Sequence, residues 1–196
     1  MGRPRSYDAP HVVRQARETF HDHGYTATSI EQLSTATGLN RSSLYGAFGD
    51  KRGLFMHCFS EYCEQESRLI AEELSGDDAG ALSRLRGHFR LKTGDPIASR
   101  RGCLLAKSTA ELASEDHEIA RMAKAFYASY EQALGDCVAH AQAAGDLRAD
   151  IAAADAGAML LAVLRGIEAL GRAGHSKRAL QRLADTTLSS LAAAPA

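Results

Sequence analysis

Long hydrophobic runs are missing from this chain of 196 residues. No stretch approaches the roughly 18 apolar residues that a membrane-crossing helix needs, and no secretory apolar region opens the sequence; a soluble, cytoplasmic protein is expected. Cysteine is scarce. The four that occur, Cys58, Cys63, Cys103 and Cys137, have the spacing of neither a metal centre nor a disulfide framework, which fits a reducing compartment and predicts no metal site. Catalytic signatures are missing too. There is no G-x-S-x-G elbow, no phosphate-cradling glycine loop and no H-E-x-x-H pair, and the eight histidines are scattered. Neither an enzyme nor a resident cofactor is expected. A formal net charge of -1 excludes a uniformly basic coat for polyanions. Nothing reads as a strand, so the expected fold class is all-α.

What is present is unevenly placed. Through Arg52 the chain carries seven cations (Arg3, Arg5, Arg14, Arg17, Arg41, Lys51, Arg52) against five carboxylates, so a basic head precedes an acidic remainder. That asymmetry suits a local nucleic-acid contact. Within the head, TSIEQLSTATGLNRSSLYGAFGDKRGLF (residues 28–55) reads as two short helices across a tight turn and the start of a third. Thr28 and Ser29 each complete a capping box, with Glu31 and Gln32 respectively. Ile30, Leu33 and Ala36 share one face, and Gly38 supplies the bend. Asn40 caps the next helix, whose Leu44 and Phe48 point inward while Arg41, Ser42 and Ser43 crowd its first turn. A helix opening with a cation and two small hydroxyls, braced by a second helix, suits the DNA major groove.

This stretch resembles the N-terminal domain of the TetR (tetracycline repressor) family. The likeness begins with an amphipathic first helix ending FHDHGYTATS, runs through the turn ATGLNRSSLY, and closes on FGDKRGLF. It is strong over about residues 7–66 and continues beyond them as a helical layout. Ala47 departs from the pattern, standing where many members carry a histidine or another polar residue. The resemblance implies a helix-turn-helix domain over residues 1–55, with the motif at about 29–48, and a ligand-binding and dimerisation domain over 56–196. About nine helices are expected. It further implies a homodimeric repressor that binds an inverted-repeat operator in double-stranded DNA and is released by a small-molecule inducer.

The expected DNA contacts are Arg3, Arg5, Thr28, Arg41, Ser42, Ser43, Tyr45 and Lys51. Arg3 and Arg5 flank a proline in an extended arm of the kind that enters a minor groove. The Tyr45 ring packs inward with its hydroxyl toward phosphate, and Lys51 stands at the N-terminus of the helix capped by Asp50, a natural phosphate site. In the body, AAADAGAMLLAVLRGIEALGRAG and RALQRLADTTLSSLAA carry more apolar surface than one stripe. This last pair, helices 8 and 9, is expected to form the dimer, with Leu164 and Leu188 as candidate contacts. Phe89, Phe126 and Tyr130 are candidates for holding a reversible ligand. Cys103 follows Arg100, Arg101 and Gly102 and is expected in the first turn of helix 6, where cations and free amides favour a thiolate. A redox- or electrophile-sensing repressor acting through Cys103 is therefore the alternative reading. A third is a helical ligand-binding or enzyme domain that carries a helix-turn-helix head.

Overall fold

A computed structural model describes residues 8–94 and 101–193. Nine α-helices occur among the described residues: α1 (Ala9–His23), α2 (Ile30–Thr37), α3 (Arg41–Phe48), α4 (Lys51–Leu74), α5 (Ala81–Gly94), α6 (Leu104–Leu112), α7 (His117–Ala143), α8 (Ala153–Arg172) and α9 (Lys177–Ser190), with a short 3-10 turn at Asp78–Gly80. The all-α expectation holds. The sole strand-like pairing among these residues is an isolated bridge between Leu147 and Ala192. None of the described helices is long and apolar enough to cross a membrane. The Arg3–Arg5 arm and most of the TGDPIASRRG loop, Arg100 included, lie outside the described residues.

The chain packs as two compact units. The first takes the residues through Glu64 together with Cys103–Met122; the second takes Gln65–Gly102 and the residues from Ala123 onward.

In the first unit the helix ends fall where the capping chemistry puts them. Asp8 accepts from the His11 amide to start α1, and Gly24 ends it. Both capping-box bonds of Ser29 and Gln32 form, so α2 begins at Ile30. Gly38, at φ 70°, turns the chain in the left-handed region. Asn40 caps α3 through the Ser43 amide. Val12, Val13, Ala16 and Phe20 of α1 are buried with Leu33 of α2, Leu44 of α3 and Leu54, Phe55, Cys58 and Phe59 of α4. Phe20 and Phe55 meet edge to face at 5.1 Å, and Phe55 stacks on Phe59 at 5.6 Å. Ile30, Ala36 and Phe48 are only half-buried, so the inner stripe of the two short helices narrows to one leucine each and Thr37.

In the second unit α5, α8 and α9 pack on one another, and α7 and α8 touch backbone to backbone at Gly135 and Gly157. A Cβ on Gly157 would stand 2.7 Å from the Gly135 nitrogen. Leu160, Leu164 and Ile167 of α8 and Leu180, Ala184 and Leu188 of α9 face inward. One polar chain runs through this core. His88 of α5 bonds Glu73 of α4 through Nδ1 at 2.6 Å and Tyr130 Oη of α7 through Nε2. With a carboxylate at Nδ1, that nitrogen carries the proton and donates, so Nε2 accepts from the tyrosine hydroxyl.

Burial pushes the His88 pKa down from its ordinary 6.5 to about 4, against the pull of Glu73. Between those values the unfolded chain binds a proton that the folded chain refuses, so folding stability falls as pH drops from about 6.5 toward 4. The expected loss is on the order of 1–3 kcal/mol. Thermal melts at pH 7 and pH 5 check it. His88→Gln should flatten the dependence; a variant as acid-sensitive as the parent would place the responsible proton elsewhere.

Candidate nucleic-acid interface

The first turn of α3 is the exposed edge of the head. Arg41 and Ser42 are exposed, and Ser43 and Tyr45 are half-buried. Asn40 Oδ1 accepts both the Ser43 amide and the Ser42 hydroxyl at 2.8 Å, so the cap also fixes a side chain on the outer face. The Arg41 guanidinium lies 5.2 Å from the Tyr45 ring centroid, a cation–π stack between successive turns. Gly46 and Ala47 continue the exposed face with almost no side-chain bulk. Behind it, Leu44 is buried and anchors the helix.

The junction of α3 with α4 is equally specific. Asp50 Oδ1 accepts the Gly53 amide at 2.7 Å, opening α4 as its capping residue. A Cβ at Gly53 would stand 2.1 Å from the Phe48 carbonyl oxygen, so the glycine of KRGLF is what lets the end of α3 lie this close to α4. Lys51 does not project freely into solvent. Its Nζ is 4.5 Å from the Tyr25 ring centroid and 3.4 Å from Thr26 O, and burial lowers its pKa. Beside it, Arg52 bonds Asp116 through Nε at 2.9 Å and Glu118 through a terminal nitrogen at 2.9 Å.

A capped helix with a cationic, hydroxyl-bearing first turn, braced by a second helix through a glycine bend, is a helix-turn-helix. Residues 12–58 match the family model described as bacterial regulatory proteins, tetR family, and residues 81–187, more than half of the chain, match the tetracyclin repressor-like C-terminal domain. The chain belongs to the TetR family.

Members of the TetR family are transcriptional regulators, and the likeness extends over whole chains. The HTH-type transcriptional repressor ComR of Escherichia coli strain K12 is 29% identical over 194 residues, 95% of this chain and 90% of that protein. BdcR, an HTH-type transcriptional repressor of the same strain, is 37% identical over 76 residues, 39% of each chain. A cysteine mutant of the TetR family regulator CifR, solved with a 26-bp double-strand operator DNA, superposes with a TM-score of 0.77 at 25% identity, over 96% of this chain and 99% of that one. Regulatory protein TetR from Rhodobacter sphaeroides has the same fold at a TM-score of 0.83 and 18% identity, over 95% of this chain and 100% of that one.

Set on this TetR head, the expected contacts divide. Arg41, Ser42, Ser43 and Tyr45 share the first turn and a half of α3, and Lys51 stands at the start of α4. Thr28 stands apart from them: it is 1% exposed and its hydroxyl donates to Gly24 O at 2.5 Å, so it ties the turn before α2. Ser29, one residue on, took the capping role that the sequence left open between them. Cys103 is half-buried and sits at the N-cap of α6, one residue ahead of the first turn, with Sγ 3.4 Å from Tyr62 Oη. In the second unit Phe126 and Tyr130 meet edge to face at 6.1 Å, while Phe89 lines an α5–α9 groove of about 220 Å³ with Arg86, Thr93 and Asp185. Sequence reading missed the polar company of Tyr130. Arg165 of α8 lies over the Tyr127 and Tyr130 rings at 5.7 and 5.5 Å and bonds Glu168 at 2.8 Å.

Proposed function

We propose that this chain is a homodimeric repressor whose two α3 helices read an inverted-repeat operator, and that a small molecule held in the second unit releases it by shifting α4. The observation that carries the reading is the α3 edge, with Arg41 and Ser42 exposed and aligned by the Tyr45 ring and the Asn40 cap. The operator complex of CifR supports it by likeness. Release requires that the ligand prefer the DNA-incompetent arrangement; equal affinity for both states would change nothing. Phe126 and Tyr130 provide the apolar wall of the ligand site and the Arg165–Glu168 pair its polar end. Glu168 Oε2 is buried without a hydrogen-bond partner among the described residues, an acceptor suited to a ligand hydroxyl or amine.

Selection of duplexes from a randomised library by the full-length protein should return an inverted repeat; sequences without dyad symmetry would overturn the reading. On the selected duplex, Arg41→Ala should cost about 1–3 kcal/mol and relax specificity, as expected of a base-edge contact. Lys51→Ala should weaken selected and random duplexes alike and lower the salt slope by about one counterion. Arg41 losing equally on both duplexes would move it into the phosphate-binding class.

The dimer surface follows from exposure. Leu164 and Leu188, at 0% and 4% exposed, are core residues of the single chain, and a charge at either would unfold it without testing association. The outward face of α8 carries Met159, Ala162, Gly166 and Ala169, and that of α9 carries Leu183. Met159→Glu and Leu183→Glu should yield folded monomers by light scattering with weak operator binding. Folded dimers from the double variant would remove α8 and α9 from the interface.

A second reading, sensing through Cys103, is favoured by one contrast. Burial raises the thiol pKa of Cys58 to about 12, burial also shifts that of Cys137 upward, and Cys63 is buried too, whereas Cys103 is half-exposed at a helix N-cap. Cys103 should alkylate first among the four, with loss of operator binding that Cys103→Ser abolishes. A serine variant released by the same reagent would sink this reading.

A further inference from the structure

The turn joining α1 to α2 has a polar problem that its own residues do not solve. The last carbonyls of α1 and the amides after Gly24 lie beyond the helical ladder and need partners. Helix α6 supplies them from about 85 positions away. Lys107 Nζ donates to His21 O at 2.6 Å, a cation at the carbonyl end of α1. One helical turn on, the Glu111 carboxylate accepts the Tyr25 amide at 3.0 Å through Oε2 and the Thr26 amide at 2.5 Å through Oε1. Two consecutive amides converging on one carboxylate form an anion-binding nest filled by the chain itself. The two charges have the signs that the two ends of the turn require.

The same turn holds the head. Thr28 donates to Gly24 O, and Ser29, the next residue, caps α2. The Tyr25 ring packs 4.9 Å from Phe55 and carries the Lys51 ammonium on its face, and Thr26 O faces the same ammonium. Burial opposes the charge on Glu111, but hydrogen bonds from Thr26 and Tyr25 and the nearby Lys51 outweigh it and hold its pKa below the ordinary carboxylate value. A carboxylate so satisfied is fixed in place.

We propose that Glu111 is a positioning residue for DNA binding: from α6 it fixes the α1–α2 turn, and through that turn both the entry into the helix-turn-helix and the placement of Lys51. It touches no DNA itself. The inference rests on the reading of the chain as an operator-binding regulator, and it makes α6, which follows Cys103, part of what the head needs in order to bind.

The test uses the full-length protein, the duplex selected by the parent, and two variants. Glu111→Ala removes both acceptors. Glu111→Gln keeps the shape and one acceptor, but turns an amide donor toward the second N–H. On the protein alone, hydrogen exchange at the Tyr25 and Thr26 amides should accelerate in the alanine variant, and one of the two should accelerate in the glutamine variant. On the selected duplex, affinity should fall about tenfold to a hundredfold for alanine, as expected for losing charge-assisted bonds to two amides, with glutamine between alanine and the parent. Helix content and the dimer should be retained. Parental affinity in either variant overturns the proposal, and so does unchanged exchange at both amides. If the alanine variant does not fold, the isosteric glutamine variant decides alone. A parent protein that selects no duplex would count against the operator-binding reading, while the exchange measurement still judges the grip of Glu111 on the turn.

Discussion

Two eight-residue helices cannot hold themselves in place. At that length an isolated helix is unstable in water, so α2 and α3 exist because their ends are capped and their few inward residues are buried elsewhere. Each contributes one fully buried leucine, Leu33 and Leu44, to a core made mostly by Phe20, Phe55 and Phe59 of the long helices α1 and α4. Little apolar surface is left to fix the orientation of α3. The caps and the connections therefore do much of that work: Ser29 with Gln32, Asn40, Asp50, the close approach of Phe48 to Gly53, and the grip of α6 on the turn after α1.

Most of this head was legible in the sequence, for a physical reason. Caps, capping boxes and glycine turns are local; their partners lie within four residues, so spacing alone reveals them. Asp8, Ser29, Asn40, Gly24 and Gly38 behave as read. The choice between Thr28 and Ser29 could not be made locally, since each completes a box of its own, with Glu31 or with Gln32. The bonds that Ser29 and Gln32 exchange decide it, while Thr28 is buried and bonded to Gly24 O. What stayed hidden was non-local. Glu111 and Lys107 look like ordinary charges on an amphipathic helix, and nothing nearby in the chain marks them as partners of His21, Tyr25 and Thr26.

The body was less legible because α8 is apolar on more than one side. On α8 the large residues Leu160, Leu164 and Ile167 point inward, and small residues with Met159 point outward. Size separates the two faces where polarity does not. A face of alanine and glycine lets another backbone approach closely, and one fewer inward leucine would leave a cavity. Leu164 and Leu188 belong to the inward set for that reason, although sequence periodicity would place either of them on a dimer surface.

The buried polar groups of the second unit restrict how its helices can pack. Buried polar groups rarely improve on apolar packing in stability, and what they add is a fixed set of partners. Here His88, Glu73 and Tyr130 link α4, α5 and α7, and the Arg165–Glu168 pair of α8 lies against the same tyrosine. Such a chain has few alternative arrangements in which every member keeps a partner, so it favours one packing of these helices over gradual deformation. Helix α4 carries Glu73 near its last turn and Lys51 at its first residue. Lys51 meets Tyr25 and Thr26 through a ring face and a long 3.4 Å bond. Those are weak attachments. The carboxylate–amide bonds of Glu111 to the same turn are strong, so the lysine rests on a turn that is held more firmly than the lysine itself.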